Sequence, residues 1–175
     1  MTLTTILPTL RATLPDPVDP FLWPAHTETT TEDVVVAAVS MLRLAALTGT
    51  PCVHTADQAP PRYRPRGWTP RAVSVAVASV VRVSRPRPGV VLLELDAALP
   101  SCAVLDQVRL IGRVSTAPAT RTHVVNPLAA CVDGPFHRLP APLPSDVREG
   151  DLLCFPCVAA IRHRDVVEPV RAALD

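Results

Sequence analysis

From residue 71 onward apolar and polar side chains alternate with a period of two, and that pattern marks the chain as rich in β-structure. The run AVSVAVASVVRVS over 72–84 is long and dense in β-branched residues, which suit a pleated surface and predict a strand. RPRPG over 85–89 interrupts it with prolines and a glycine able to take positive φ. VVLLELD over 90–96 then runs back, so a hairpin is predicted. VLDQVRLIGRVS (104–115) reads as a third strand, with Val108, Leu110 and Val114 on one face and Gln107, Arg109 and Arg113 on the other. Gly112 within it predicts a bulge or sharp bend. TPCVHT (50–55) reads as a short strand. The turn Glu149-Gly150-Asp151 opens one or two more within LLCFPCVAAIRHR (152–164).

Other segments predict helix. Thr29 and Glu32 have capping-box spacing, Asp33 suits the positive end of a helix dipole, and Gly49 supplies a stop, so a helix is predicted over 32–47. Apolar residues surround most of its circumference, which implies burial on more than one side or a partner that covers it. Asn126-Pro127 opens and Gly134 closes a short helix; alternatively LAACV (128–132) is a strand ended by an Asp133-Gly134 turn. Asp165 with Glu168 caps a terminal helix over 166–174. Residues 1–28 read as a proline-rich extended arm whose Phe21 and Trp23 dock on the chain's own domain or on a partner. Residues 56–70 hold too many prolines for regular structure. The chain therefore reads as an arm (1–28) followed by one domain (29–175), mainly β with flanking helices.

Composition bounds this picture. With 175 residues, 48% of them hydrophobic, and a net charge of +1, the chain suits one domain with a real core and is not disordered throughout. No apolar run reaches the roughly 18 residues that span a bilayer. The first residues lack a basic start and are broken by Pro8 and Pro15, so no secretory signal is expected, and a soluble intracellular protein is. All 17 basic residues are arginine, each a planar fork suited to phosphate or carboxylate. Charge is unevenly spread. Residues 59–87 carry seven arginines (Arg62, Arg64, Arg66, Arg71, Arg82, Arg85, Arg87) and no acid. Such a stretch is either an anion-binding surface or a solvated loop paired with acids elsewhere in the molecule.

Candidate chemistry is sparse. Five cysteines (Cys52, Cys102, Cys131, Cys154, Cys157) make an odd count that argues against a disulfide framework. Cys154-Phe-Pro-Cys157 has knuckle spacing, and Cys52-Val-His54 offers two further ligands for a tetrahedral zinc. A single CxxC in an apolar run reads better as buried structural thiols, so no metal is assigned. His26-Thr-Glu28 with the later CxxC is a poor match to zinc nucleotide deaminases, because Leu153 stands where a proline should precede the first cysteine. Gly150-Asp-Leu-Leu-Cys-Phe-Pro156 matches half of a cupin motif without its histidine. His54, His123, His137 and His163 lie far apart, none beside an acid placed for general-base work. No nucleophile elbow or phosphate-cradling glycine loop is present. A non-catalytic protein without a cofactor is expected. There remains Pro61-Arg-Tyr-Arg-Pro-Arg-Gly-Trp-Thr-Pro-Arg71, in which Arg62, Arg64, Arg66 and Arg71 alternate with Tyr63 and Trp68. Arginines neutralise phosphates and aromatic rings stack on bases, the combination that holds single strands without a sequence code.

Three segments, VSVAVASVVRVSRPRPGVVLLELD, VRLIGRVSTAPAT and VREGDLLCF with the final strand and helix after it, resemble an OB-fold, the small Greek-key barrel. VRLIGRVS is similar to the glycine-bent strand in small OB-fold subunits of single-strand-binding complexes such as replication protein A and the telomere-capping CST complex. The resemblance spans about residues 71–175. It implies a non-catalytic subunit of a replication- or telomere-type complex, nuclear, bound to other subunits through helix 32–47 and the terminal helix and in contact with single-stranded DNA. Two other readings stand beside it: a split barrel holding flavin or haem, and a purely architectural subunit of a large assembly.

Overall fold

The computed structural model describes residues 3–125 and 138–167. The short helix expected after Asn126, Cys131 and His137, and all but two residues of the expected terminal helix, lie outside them. The chain is mainly β. After α1 (Leu3–Ile6) and a 3-10 turn (Pro8–Ala12) come β1 (Thr27–Thr29), β2 (Val34–Val36), β3 (Val39–Ser40), α2 (Met41–Thr48) and β4 (Cys52–Asp57). β5 (Ala72–Arg87) and β6 (Val90–Leu95) form the expected hairpin. A 3-10 turn (Leu105–Gln107) leads into β7 (Arg109–Ile111), β8 (Ala119–Val125), β9 (Arg138–Pro144) and β10 (Leu152–Cys157).

The main sheet has the order β7-β10-β5-β6-β8-β9, with β4 also paired to β5. β5 is long enough to serve three partners. Its first half lies between β4 and β10, and its second half, past a register shift between Val80 and Arg82, pairs with β6. All pairs are antiparallel except β6 with β8, so the ribbon is not a simple meander and a crossover through β7 separates those two strands. The sheet curls until β9 touches the 3-10 turn at 105–107, just ahead of β7 at the opposite end of the strand order. It does not zip shut there. Pro140, Pro142 and Pro144 fall on alternate residues of β9, and a proline cannot occupy a hydrogen-bonded position of the ladder to β8. Their missing N–H groups therefore leave the outer edge of β9 with no donors at these positions, which blocks further strand pairing.

The composition of β5 follows from its two covered faces. Ala76, Ala78 and Val80 join the core inside the curl, while Val75 and Val77 face a second core beneath the N-terminal layer. On the concave face the small alanines sit opposite large residues, Ala76 against Phe155 and Ala78 against Leu153. Such large-small alternation fills a tight curl at crystal-like density. Burial on both faces also explains why the apolar run from Val73 to Val80 is nearly unbroken.

The second core explains the arm. Trp23 is 1% exposed and packs with Val34, Val36, Met41, Val75 and Val77. Ala25 N–H donates to the Asp57 carbonyl (2.8 Å), and Pro24 bridges Gln58. The arm docks on its own domain through Trp23, whereas Phe21 stays exposed.

Three expectations need correction. The helix expected over 32–47 is a hairpin followed by a shorter helix. Thr30 does accept from the Glu32 and Asp33 N–H groups, but this closes a turn. The β-branched Val34–Val36 then extend as β2 beside β1 and β3. Ala37 and Ala38, at φ 48° and 66°, make the two-residue reversal that twisted hairpins require. Ser40 caps α2 by accepting from Arg43 N–H (3.0 Å), and Gly49 ends it as expected. The third strand is interrupted: only Arg109–Ile111 pair, and Gly112 (φ 85°) turns the chain before Arg113. The expected facing survives locally, Val108 and Leu110 joining one core and Ile111 the other. Finally, Val166 and Val167 do not begin a helix. Val166 is buried, its carbonyl accepts from Ala98 N–H, and Val167 bridges Ala97.

Candidate nucleic-acid interface

β4 and β5 are joined by a long loop whose ends are tied together. Gln58 N–H donates to the Arg71 carbonyl (2.7 Å), so the residues between them project as an Ω-type excursion from the sheet. Its prolines exclude helix and interior strand. At its tip Trp68 N–H donates to the Pro65 carbonyl (3.0 Å), and Gly67 takes φ 81°, which a turn of type II demands at that position.

This loop gathers six of the residues singled out in the sequence. Arg62, Arg64, Arg66 and Arg71 are exposed, Tyr63 is 91% exposed, and Trp68 is half-buried. The Arg64 guanidinium carbon lies 5.6 Å from the Trp68 ring centroid, a cation–π contact that holds the tip in shape. Among the described residues none of these four arginines forms an ion pair: the ion pairs involve Arg11, Arg82, Arg113, Arg148 and Arg164. The loop is therefore not neutralised by contact with acids of the same chain. Its charge faces solvent.

The basic stretch of 59–87 is nonetheless two surfaces. Arg71 precedes the first residue of β5 and Arg87 is its last, so the two clusters sit at opposite ends of a 16-residue strand that would span about 50 Å if straight. At the far end Arg82 pairs with Glu94 (3.6 Å) and Arg85 donates to the Val147 carbonyl (3.0 Å). Arginines and Pro86 along that strand end also protect an open sheet edge.

The four zinc candidates do not converge. Cys154 and Cys157 are three residues apart on a strand and so point to opposite faces, Cys154 into the core under the arm and Cys157 into the curl. Cys52 and Cys154 flank Val77 from either side, and His54 lies opposite Val75. Burial pushes the thiols of Cys52, Cys154 and Cys157 up, keeping them protonated. Among the described residues no three His, Cys, Asp or Glu are grouped to hold a metal ion. No helix there is long and apolar enough to cross a membrane.

Two polar features escaped the sequence reading. Arg113 grips the buried Asp151 with two bonds (2.7 and 2.6 Å) and reaches Asp146 (3.1 Å), which also accepts from the Ser115 hydroxyl (2.6 Å). This network pins the Glu149-Gly150 turn to the segment after β7. Arg11 and Arg109, 98 positions apart in the chain, line a cleft of about 60 Å³ between arm and sheet. The only signal in the sequence was an arginine on the polar face of a short strand.

No protein-family model and no curated protein matches the chain. Among solved structures, two crystal structures of the arginine decarboxylase of Paramecium bursaria Chlorella virus, one bound to agmatine, show a distant likeness. Both are 16% identical, with TM-scores of 0.34 and 0.35, and the match covers 54% of this chain and 28% of that protein. The chain thus spans under a third of the enzyme it matches, and a likeness this distant transfers neither activity nor ligand.

Proposed function

We propose that the protein is a non-catalytic subunit of a nucleic-acid-binding complex, and that its β4–β5 loop holds single-stranded nucleic acid. One observation carries the reading: four exposed arginines without acidic partners among the described residues, interleaved with an exposed tyrosine and a tryptophan already stacked on one of them. Arg62, Arg64, Arg66 and Arg71 contact phosphates, and Tyr63 or Trp68 stacks on a base. In this reading the curled sheet is a barrel of OB type, with β5 and β6 as its long first strand and hairpin, in a replication- or telomere-type complex of the nucleus. The exposed Leu47 on α2 supports a partner surface there, and the same surface would serve a purely architectural subunit.

Titration of fluorescent single-stranded oligonucleotide at two salt concentrations tests this. Replacing Arg62, Arg64 and Arg66 by glutamine should weaken binding and flatten the salt slope by about 0.7 per lost contact, about 2 in all. An unchanged slope refutes the loop's role. No binding at any salt leaves the architectural reading in its place, and absorbance above 350 nm in the purified protein would replace both with a flavin or haem carrier.

A further inference from the structure

We propose that the cleft between the N-terminal arm and β7 binds a small oxyanion, phosphate-like or carboxylate, through Arg109 and Arg11. Arg109 is only partly satisfied by the protein. Its Nη1 donates to the carbonyls of Gln107 (3.2 Å) and Val108 (2.9 Å) and its Nη2 to that of Pro17, while its buried Nε has no acceptor. No carboxylate within 4.0 Å pairs with it among the described residues, in contrast to Arg113, whose three nitrogens are all matched to Asp146 and Asp151. A guanidinium taken out of water and held by carbonyl dipoles alone is costly. Burial accordingly pulls its pKa below the ordinary value, against the opposing pull of Asp16.

Arg11 faces the same cleft with a similar shortfall. Its Nη1 donates to the Ala117 carbonyl (3.1 Å), and its Nε lies 3.3 Å from Asp16 without the alignment of a hydrogen bond. The acids on the wall are already engaged. Asp33 accepts from Val34 N–H, Leu42 N–H and the Ser40 hydroxyl, and Asp16 accepts from Thr4 while facing Arg11. The unmet demand in the cleft is therefore for an acceptor. Free Nε–H groups belong to the side of the guanidinium fork that matches two oxygens of a carboxylate or phosphate. About 60 Å³ has room for roughly four or five water-sized groups, which suits a tetrahedral oxyanion or a short carboxylate and excludes a nucleotide. Because Arg11 belongs to the arm and Arg109 to the sheet, the bound anion also fastens one to the other.

Calorimetric titration of the full chain with sodium phosphate, sulfate and acetate, at ionic strength held constant with chloride, tests the site. Saturable 1:1 binding of at least one oxyanion is expected, with a shift of the Arg109 Nε–H resonance in a ¹H–¹⁵N spectrum. Arg109→Lys and Arg11→Gln should each weaken it tenfold or more. The triple loop variant R62Q/R64Q/R66Q should bind the small anion as the parent does, which separates this site from the loop. If Arg109→Lys fails to fold, Arg11→Gln and the resonance shift in the parent decide. Heat that follows ionic strength alone, no saturation with any of the three oxyanions, or equal affinity in Arg11→Gln and the parent overturns the proposal.

Discussion

If the arm is part of the fold, truncating Trp23 should cost as much as truncating a central core residue. An indole that is 1% exposed removes roughly 200 Å² from water, or about 5 kcal/mol at 25 cal/mol per Å². That figure is an upper bound, because the unfolded chain already hides part of the area. The buried indole N–H has no acceptor, and removing such a group returns about 1–3 kcal/mol. Trp23→Ala should therefore destabilise by about 3 kcal/mol, or about 6–12 °C in Tm for a chain of this size. Trp23→Phe keeps most of the apolar contact and deletes the unpaired N–H, so it should stay within about 1 kcal/mol of the parent. Urea unfolding followed by far-UV circular dichroism, with the m-value checked for constancy, measures both. A Trp23→Ala variant within about 1 kcal/mol of the parent, or a phenylalanine variant as damaged as the alanine one, would refute the docked arm.

Other outcomes rest on the same packing and electrostatics. Replacing Ala37-Ala38 by Asn-Gly should raise stability by about 1 kcal/mol in a thermal melt, because both residues sit at positive φ where alanine is strained. A destabilised variant would contradict the turn. Phe155→Ala should cost about 3–5 kcal/mol, since Ala76 opposite cannot fill the space. Ala76→Leu in the parent should cost about 1–3 kcal/mol by overfilling the curl. Partial burial pushes the Asp146 carboxyl up, but the Ser115 hydroxyl and Arg113 outweigh it and hold the pKa below the usual carboxylate value. A depressed folded pKa gives stability that is present above the unfolded value near 4 and lost as pH falls through the folded one. Acid unfolding should therefore steepen below about pH 4, and Ser115→Ala should raise the Asp146 titration seen by carboxyl NMR.

Much of the β-architecture was legible because its determinants are local. β-branched residues at period two marked β5, and RPRPG followed by VVLLEL marked its hairpin partner. Gly49 and Gly112, the stop and the bend, were readable because positive φ is a property of the residue itself. The loop of 58–71 could be recognised as irregular for the same reason, and with it the six residues of the candidate interface.

Where segments failed, a non-local effect had overruled a local preference. VVVAAV carries a helical apolar pattern, yet its valines become a strand because β1, α2 and Trp23 offer them a covered face. β9 is hard to read as a strand with a proline at every second residue; only a place on the sheet's rim makes that sequence workable.

Along the chain, then, amino-acid type alone settled that there would be a long strand, a hairpin and an exposed basic loop, since each depends on backbone stereochemistry or on charge. Tertiary structure decided the rest. It divided the arginines between the two ends of β5, sent Cys154 and Cys157 into different cores, and set Arg11 beside Arg109. Those are relations between side chains distant in sequence, created only when the curl of the sheet and the docking of the arm select one arrangement from many of similar composition.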